Sequence, residues 1–250
     1  MRKLLLAGVA LAVLAGAPAF AADLRVRPAP VYKAPPPALY NWTGFYWGVN
    51  IGYSWGRHRN DWTVAGFPAA SESQKMDGVI GGFQWGYNWQ FGNWLLGTES
   101  DFQWSGQRGS TTYCVITCAV ATFTAEHKLP WFGTSRTRLG FLPTPNVLLY
   151  ATGGLAYGQV KSDYTLTVPA VAAGTLSFRD TRAGWTVGAG IEGAVSGGWS
   201  AKLEYLYIDL GKNSVTATTT LVGAVATFDS RVTDHILRIG LNYKPSAGFL

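Results

Sequence analysis

The stretch TGFYWGVNIGYSW, Thr43 to Trp55, carries two different sequences on alternate positions. Phe45, Trp47, Val49, Ile51, Tyr53 and Trp55 are bulky, while Gly44, Tyr46, Gly48, Asn50, Gly52 and Ser54 between them are almost all glycine or small polar residues. Alternation with a period of two marks a β-strand with unlike faces. In a water-soluble domain the bulky face would have to be the core.

The pattern recurs along the chain. Val79, Phe83, Trp85, Tyr87 and Trp89 alternate with Gly78, Gly82, Gln84, Gly86 and Asn88. Trp94, Leu96, Phe102 and Trp104 oppose Gly97, Glu99, Asp101 and Gln103. Trp185, Val187, Ala189 and Ile191 oppose Thr186, Gly188, Gly190 and Glu192, and Trp199, Leu203, Tyr205 and Tyr207 oppose Ser200, Lys202 and Glu204. Leu237, Ile239, Leu241 and Tyr243 oppose Arg238, Gly240 and Asn242. Two further segments complete a set of eight strands: WFGTSRTRLGF, which turns Arg136 and Arg138 away from Trp131, Leu139 and Phe141, and VLLYATGGLAYG, with Leu149, Ala151, Leu155 and Tyr157 as its apolar set. Pro130 has no amide to give to a ladder, so the first of these begins at Trp131 or carries a bulge there.

The links alternate in length. Short ones at 90–93, 142–146 and 196–198 contain Gly, Pro or Asn suited to tight turns. Longer ones of about twenty residues fall near 57–76, 106–125, 161–181 and 211–229. The last two are rich in Thr, Val and aromatic residues with small residues at their centres, which predicts strands prolonged as hairpins. Short turns on one side and long connections on the other describe a transmembrane barrel.

The first residues place that barrel. Arg2 and Lys3, an apolar run from Leu4 and the small-residue pattern Ala19-Phe20-Ala21 predict a cleaved secretory signal over 1–22. The run is too short to span a bilayer as a helix, and no later stretch is a helical span. Residues 23–41, rich in proline, read as an extended periplasmic linker, 42–244 as the barrel and 245–250 as a short tail. Charged residues are 14% of the chain against about 25% in soluble domains. The formal charge of +6, part of which leaves with the signal, is too mild to suggest nucleic acid.

An eight-stranded barrel cannot hold the bulky set inside, so the polar face is assigned to the lumen and the apolar face to lipid. The aromatic girdles comprise Phe45, Trp47, Trp55, Trp85, Trp89, Trp94, Trp104, Trp131, Trp185, Trp199, Tyr205 and Tyr243. The lumen receives Glu99, Asp101, Glu192 and Glu204 with Arg136, Arg138, Lys202 and Arg238, four charges of each sign. Buried charges are costly unless paired, so the balance predicts a salt-bridged plug.

The segments YKAPPP, YNWTGFYWGVNIGYSWG, GGFQWGYNWQFGNWLLGTESDFQ, LPWFGTSRTRLGF, LLYATGGLAYG, KLEYLYIDLG and HILRIGLNYK together resemble the small outer-membrane β-barrel family of Gram-negative bacteria that includes the outer-membrane immunogenic proteins. The resemblance implies an all-β, eight-stranded antiparallel up-and-down barrel with periplasmic termini and roles in envelope integrity, surface exposure and, in some members, solute passage. Such barrels usually end in an aromatic that the barrel assembly machinery reads. Here NYK is followed by PSAGFL, so either Tyr243 or the penultimate Phe249 supplies that signal.

Chemistry of other kinds has little footing. His58 and His127 read as loop or rim residues and His235 as the start of the last strand, and none lies in a catalytic or metal motif. No catalytic residue, metal or cofactor is expected. Cys114 and Cys118 in CVITC, exported and alone, predict a disulfide that stiffens a loop. The expected function is a structural, surface-exposed envelope component with a plugged lumen. Its expected partners are outer-membrane lipid and lipopolysaccharide, the assembly machinery and proteins met by the extracellular connections. A narrow small-solute porin is the first alternative and a lipid-modifying enzyme the second.

Overall fold

The computed structural model describes residues 40–64, 70–114, 118, 122–168, 172–218 and 225–245. The signal segment 1–22, all of the linker but its last two residues, and the end of the tail with Phe249 lie outside the described residues. The strands are β1 (Gly44–Val64), β2 (Ala70–Phe91), β3 (Trp94–Cys114), β4 (Thr122–Thr144), β5 (Val147–Val168), β6 (Ala172–Ser196), β7 (Trp199–Thr218) and β8 (Val225–Tyr243). Each pairs antiparallel with the next, and β8 closes on β1 with Tyr243 opposite Trp47. Closure gives every backbone amide and carbonyl within the hydrocarbon layer a partner, which lipid demands.

The turns fall where glycine or proline favours them. Gly92 (φ 59°) joins β2 to β3, Gly197 and Gly198 (φ 57° and 86°) join β6 to β7, and Pro145 and Asn146 separate β4 from β5. These short turns mark the periplasmic end. Pro130 falls in a register shift between Lys128 and Trp131, so β4 carries a bulge and continues beyond it. Two more shifts, at Trp104/Gln107 and Asp209/Lys212, lie near the same rim, the latter beside Gly211 at φ 74°.

The strands run 19 to 25 residues, about twice what a bilayer crossing needs. The long connections near 57–76 and 106–125, expected as loops, are therefore mostly strand, like the two expected to form hairpins. Beyond the membrane the ring does not stay closed. Pairing of β2 with β3 stops at Asp77 and Arg108, and pairing of β6 with β7 stops at Trp185 and Asp209. Pairing continues on the remaining seams, out to Cys114 with Thr122, Val168 with Ala172, Val64 with Ala226 and Trp62 with Ala70. The extracellular part is thus two leaves, β3–β4–β5–β6 and β7–β8–β1–β2, rising from one barrel.

Side-chain phase follows the alternation. Phe45, Trp47, Trp55, Trp85, Trp89, Trp94, Trp104, Trp185, Trp199 and Tyr205 are exposed on the outer wall, and Trp131 and Tyr243 are partly so. On β5, Leu149, Leu155 and Tyr157 face out while Leu148 and Tyr150 are buried.

Candidate functional site

The middle of the lumen is a layer of charge. Glu99 and Asp101 come from β3, Arg136 and Arg138 from β4, Glu192 from β6, Lys202 and Glu204 from β7, and Arg238 from β8, all at most 3% exposed. Arg136 reaches Glu99 at 2.6 Å and both Asp101 and Glu204 at 2.9 Å. Arg138 reaches Glu192 at 2.6 Å and Glu99 at 3.4 Å. Arg238 reaches Glu204 at 2.6 Å and Asp101 at 2.9 Å, and Lys202 reaches Glu99 at 2.7 Å. The eight predicted residues therefore form one neutral, continuous network across the barrel.

Neutral donors complete it. Tyr46 donates to Glu99 (2.8 Å) and accepts from Arg138 (2.7 Å), whose guanidinium also lies 4.0 Å above the ring of Tyr150. Tyr150 donates to Glu204 at 3.0 Å, Thr134 to Asp101 at 2.7 Å, and Ser200 and Asn242 to Glu192 at 2.6 and 2.7 Å. Buried carboxylates need several such donors to offset lost hydration. Glycine makes room for the tyrosines. A Cβ on Gly86, opposite Tyr46, would stand 2.5 Å from its hydroxyl, and one on Gly190, opposite Tyr150, would stand 2.5 Å from that hydroxyl.

Apolar layers lie on both sides of the charges, and the alternation argument did not foresee them. Toward the extracellular end, Met76, Ile80, Leu129, Phe132, Ala156, Val160, Leu206, Ile208, Leu210, Val232 and Ile236 form one buried cluster. Toward the periplasm, Leu95, Leu142, Leu148 and Tyr150 surround Trp42, with Tyr40 packed against them. Trp42 donates its indole N–H to the carbonyl of Pro145 at 3.0 Å, so the residues just before β1 fold under the barrel mouth. A signal was present: in EYLYIDL, Leu206, Ile208 and Leu210 fill the phase that Lys202 and Glu204 occupy, so apolar residues stand on both faces.

The histidines correct the sequence reading. His58 and His127 are 2% and 1% exposed, not rim residues, because β1 and β4 continue past the membrane and turn both rings inward. Their centroids are 3.9 Å apart, which joins one leaf to the other. His58 bonds Ser230 at 2.7 Å and His127 bonds Ser162 at 2.8 Å. Burial, then the neighbouring His127 and Arg182, push His58 down to about 3; burial and Arg182 push His127 down to about 4. Arg182 on β6 also crosses between the leaves, donating to the carbonyl and hydroxyl of Ser230 at 3.1 Å. His235 lies within β8 rather than at its start, faces outward, and meets the Tyr205 hydroxyl at 2.7 Å. Cys114 and Cys118 are disulfide-bonded with Cα atoms 4.6 Å apart.

A closed ring of eight lipid-facing strands with a charged interior defines the class, an outer-membrane β-barrel. Residues 7–244 match the family described as the Outer membrane protein beta-barrel domain, and the chain belongs to it. It is 40% identical over 253 residues to the 31 kDa outer-membrane immunogenic protein of Brucella melitensis biotype 1, covering 98% of this chain and 100% of that protein. It is 34% identical over 177 residues to the 22 kDa outer membrane protein of Rhizobium leguminosarum bv. viciae, covering 71% of this chain and 68% of that one. Among solved structures, OprG of Pseudomonas aeruginosa aligns over 81% of this chain and 98% of its own at 10% identity and a TM-score of 0.45. The chain is an outer-membrane protein of a Gram-negative bacterium.

Proposed function

We propose that this barrel is a structural, surface-exposed component of the outer membrane whose lumen is closed to ions and solutes. The observation that carries the reading is the network in which Glu99, Asp101 and Glu204 share Arg136 and Arg238 across the bore. Water and ions would have to break several charge-assisted bonds at once to pass, and apolar clusters also lie above and below that point. An eight-stranded interior is only about wide enough for its own side chains. The barrel acts without catalysis on this reading: the outward His235 has Tyr205, not a serine, as its hydroxyl partner. Its partners are membrane lipid and lipopolysaccharide, the assembly machinery that inserts it, and surface proteins met by the two leaves.

The test is conductance of the refolded protein in a planar bilayer. The closed barrel gives no stable single-channel steps. Large, long-lived steps from the unmodified protein would overturn the plug and favour a small-solute porin.

A further inference from the structure

We propose that the two extracellular leaves form an acid-released clasp, held together at neutral pH by the His58–His127 contact and hinged apart at their feet once both rings take protons. The inference goes beyond the proposed function and is independent of whether the lumen conducts.

The leaves are joined to each other by side chains. The register of β2 with β3 ends at Asp77/Arg108 and that of β6 with β7 at Trp185/Asp209, so above these points, among the described residues, no ladder ties one leaf to the other. A short set of contacts crosses instead. Gln74 on β2 donates to the carbonyl of Ala125 on β4 at 3.4 Å, Arg182 on β6 donates to Ser230 on β8 at 3.1 Å, and Asn213 on β7 donates to Asp180 on β6 at 2.6 Å. Higher up, the Tyr113 hydroxyl on β3 donates to Glu72 on β2. At the centre, His58 of one leaf and His127 of the other lie with ring centroids 3.9 Å apart, each steadied by a serine of its own leaf, Ser230 and Ser162. Each leaf, by contrast, is a continuous ladder of four strands. The two can therefore part as plates standing on the closed ring below.

The central contact survives only between neutral rings. Two imidazolium ions whose centroids are 3.9 Å apart, with little water between them, repel strongly, and the groups facing them do not answer the charge. Arg182 from β6 adds a third cation, and its acid partner Asp180 is already shared with Asn213. From β5, Tyr164 meets His127 edge-on with centroids 5.7 Å apart, while Asp163 is paired with Lys161. Opposite the rings, β2, β8 and β3 present Gln74, Val232 and Gly109, all uncharged. Burial, then the opposing ring and Arg182, hold His58 down to about 3; burial and Arg182 hold His127 down to about 4; each regains its ordinary 6.5 on reaching water. Parting thus takes up two protons, and between pH 6.5 and 4 the ratio of open to closed leaves rises on the order of hundredfold per pH unit. An amide or apolar pair would hold the leaves at every pH. Parting also uncovers the inner face of the β3–β6 leaf, where Phe123, Tyr164 and Phe178 stand in a row with centroids 5.9 and 6.1 Å apart.

The experiment places nitroxide labels on the outer faces of the two leaves, at Thr63→Cys on β1 and Thr167→Cys on β5, both exposed. Pulsed electron spin resonance of the protein refolded into nanodiscs reads their separation. One short separation is expected at pH 7.5. A longer one grows in with a two-proton slope as pH falls toward 4 and reverses on return, while the heat-modifiable gel shift persists because the ring is intact. His127→Asn alone reduces the slope to one proton, and His58→Asn with His127→Asn removes the response. An unchanged separation in the labelled parent across this range, which needs no histidine variant to be read, would overturn the proposal. So would an undiminished response in the double variant, or a separation that changes only together with loss of the gel shift, which is global unfolding.

Discussion

The carboxylate of Glu99 on β3 and the ammonium of Lys202 on β7 meet at 2.7 and 2.8 Å, although these strands stand on opposite sides of the eight-membered ring. The lumen is therefore bridged wall to wall by side chains, and the bridge is a strut as well as a stopper. Glu99 also touches Arg136, Arg138 and Tyr46, so it is the residue on which the layer converges.

Replacing that hub leaves the layer with one positive charge in excess, and Lys202 with only Glu204 at 3.9 Å. Glu99→Ala is expected to destabilise the folded barrel by about 3–5 kcal/mol, the usual cost of stranding a buried charge. Denaturant unfolding in detergent micelles measures it, with the parent's heat-modifiable gel shift as a second reading. A variant as stable as the parent would mean that Glu99 is not the shared partner of Arg136 and Lys202.

Trp42 separates closure by packing from closure by charge. Trp42→Ala removes a side chain 2% exposed at the periplasmic mouth and is expected to cost about 3–5 kcal/mol. Conductance should stay at the parent's level because the charged layer above is untouched. Stable channel steps from Trp42→Ala would place the seal at the tryptophan instead.

Gly86 tests the seating of Tyr46. A Cβ there would stand 2.3 Å from the Thr98 carbonyl and 2.5 Å from the Tyr46 hydroxyl, so Gly86→Val must shift the neighbouring β3 backbone as well as the ring, and is expected to break the Tyr46 contacts with Glu99 and Arg138. The loss should be about 1–3 kcal/mol, typical of overpacking. Tyr46→Phe in the same background should add little, since the hydroxyl would already be out of place; additive losses would contradict the shared mechanism.

The histidine pair predicts acid sensitivity of the leaves. His58 is held down to about 3 and His127 to about 4, against an ordinary value of 6.5. Below pH 6.5 the unfolded chain binds protons that the native pair does not, so stability is full above 6.5 and declines as pH falls toward 4. Each ring contributes a slope of about 1.4 kcal/mol per pH unit in that window. Unfolding midpoints between pH 7.5 and 4.5 should fall in the parent and flatten in His58→Asn with His127→Asn. Equal slopes in both proteins would show that the rings are not buried neutral.

Within the bilayer the alternation was enough to read the architecture. Lipid requires bulk outside and an eight-stranded bore requires small or paired groups inside, so the faces of Trp47, Glu99, Arg136 and Arg238 follow from their places in the sequence. Beyond the girdle the outer face meets water, and the constraint lapses. Strand residues such as Arg57, Ser73 and Thr112 then look like loop residues, which is why β1 and β3 read as ending early and β2 and β4 as starting late. The misplacement of His58 and His127 has the same cause. The apolar inner layers were hidden differently: Phe132, Leu148 and Ile236 stand next to apolar residues of the outer face, so the period of two blurs where both faces are greasy.

The two seams that stop at Asp77/Arg108 and Trp185/Asp209 stop near the level where hydrocarbon gives way to water. Inside the bilayer an unpaired amide has no partner but another strand; outside it, water serves. Ring closure is therefore confined to the depth that requires it. The surface half is released from the geometry of the bore: each leaf can lengthen, shorten or exchange residues at its hairpin tips without resetting the registers that seal the barrel. One chain thus combines a conservative device for residing in lipid with a face free to diversify under external selection.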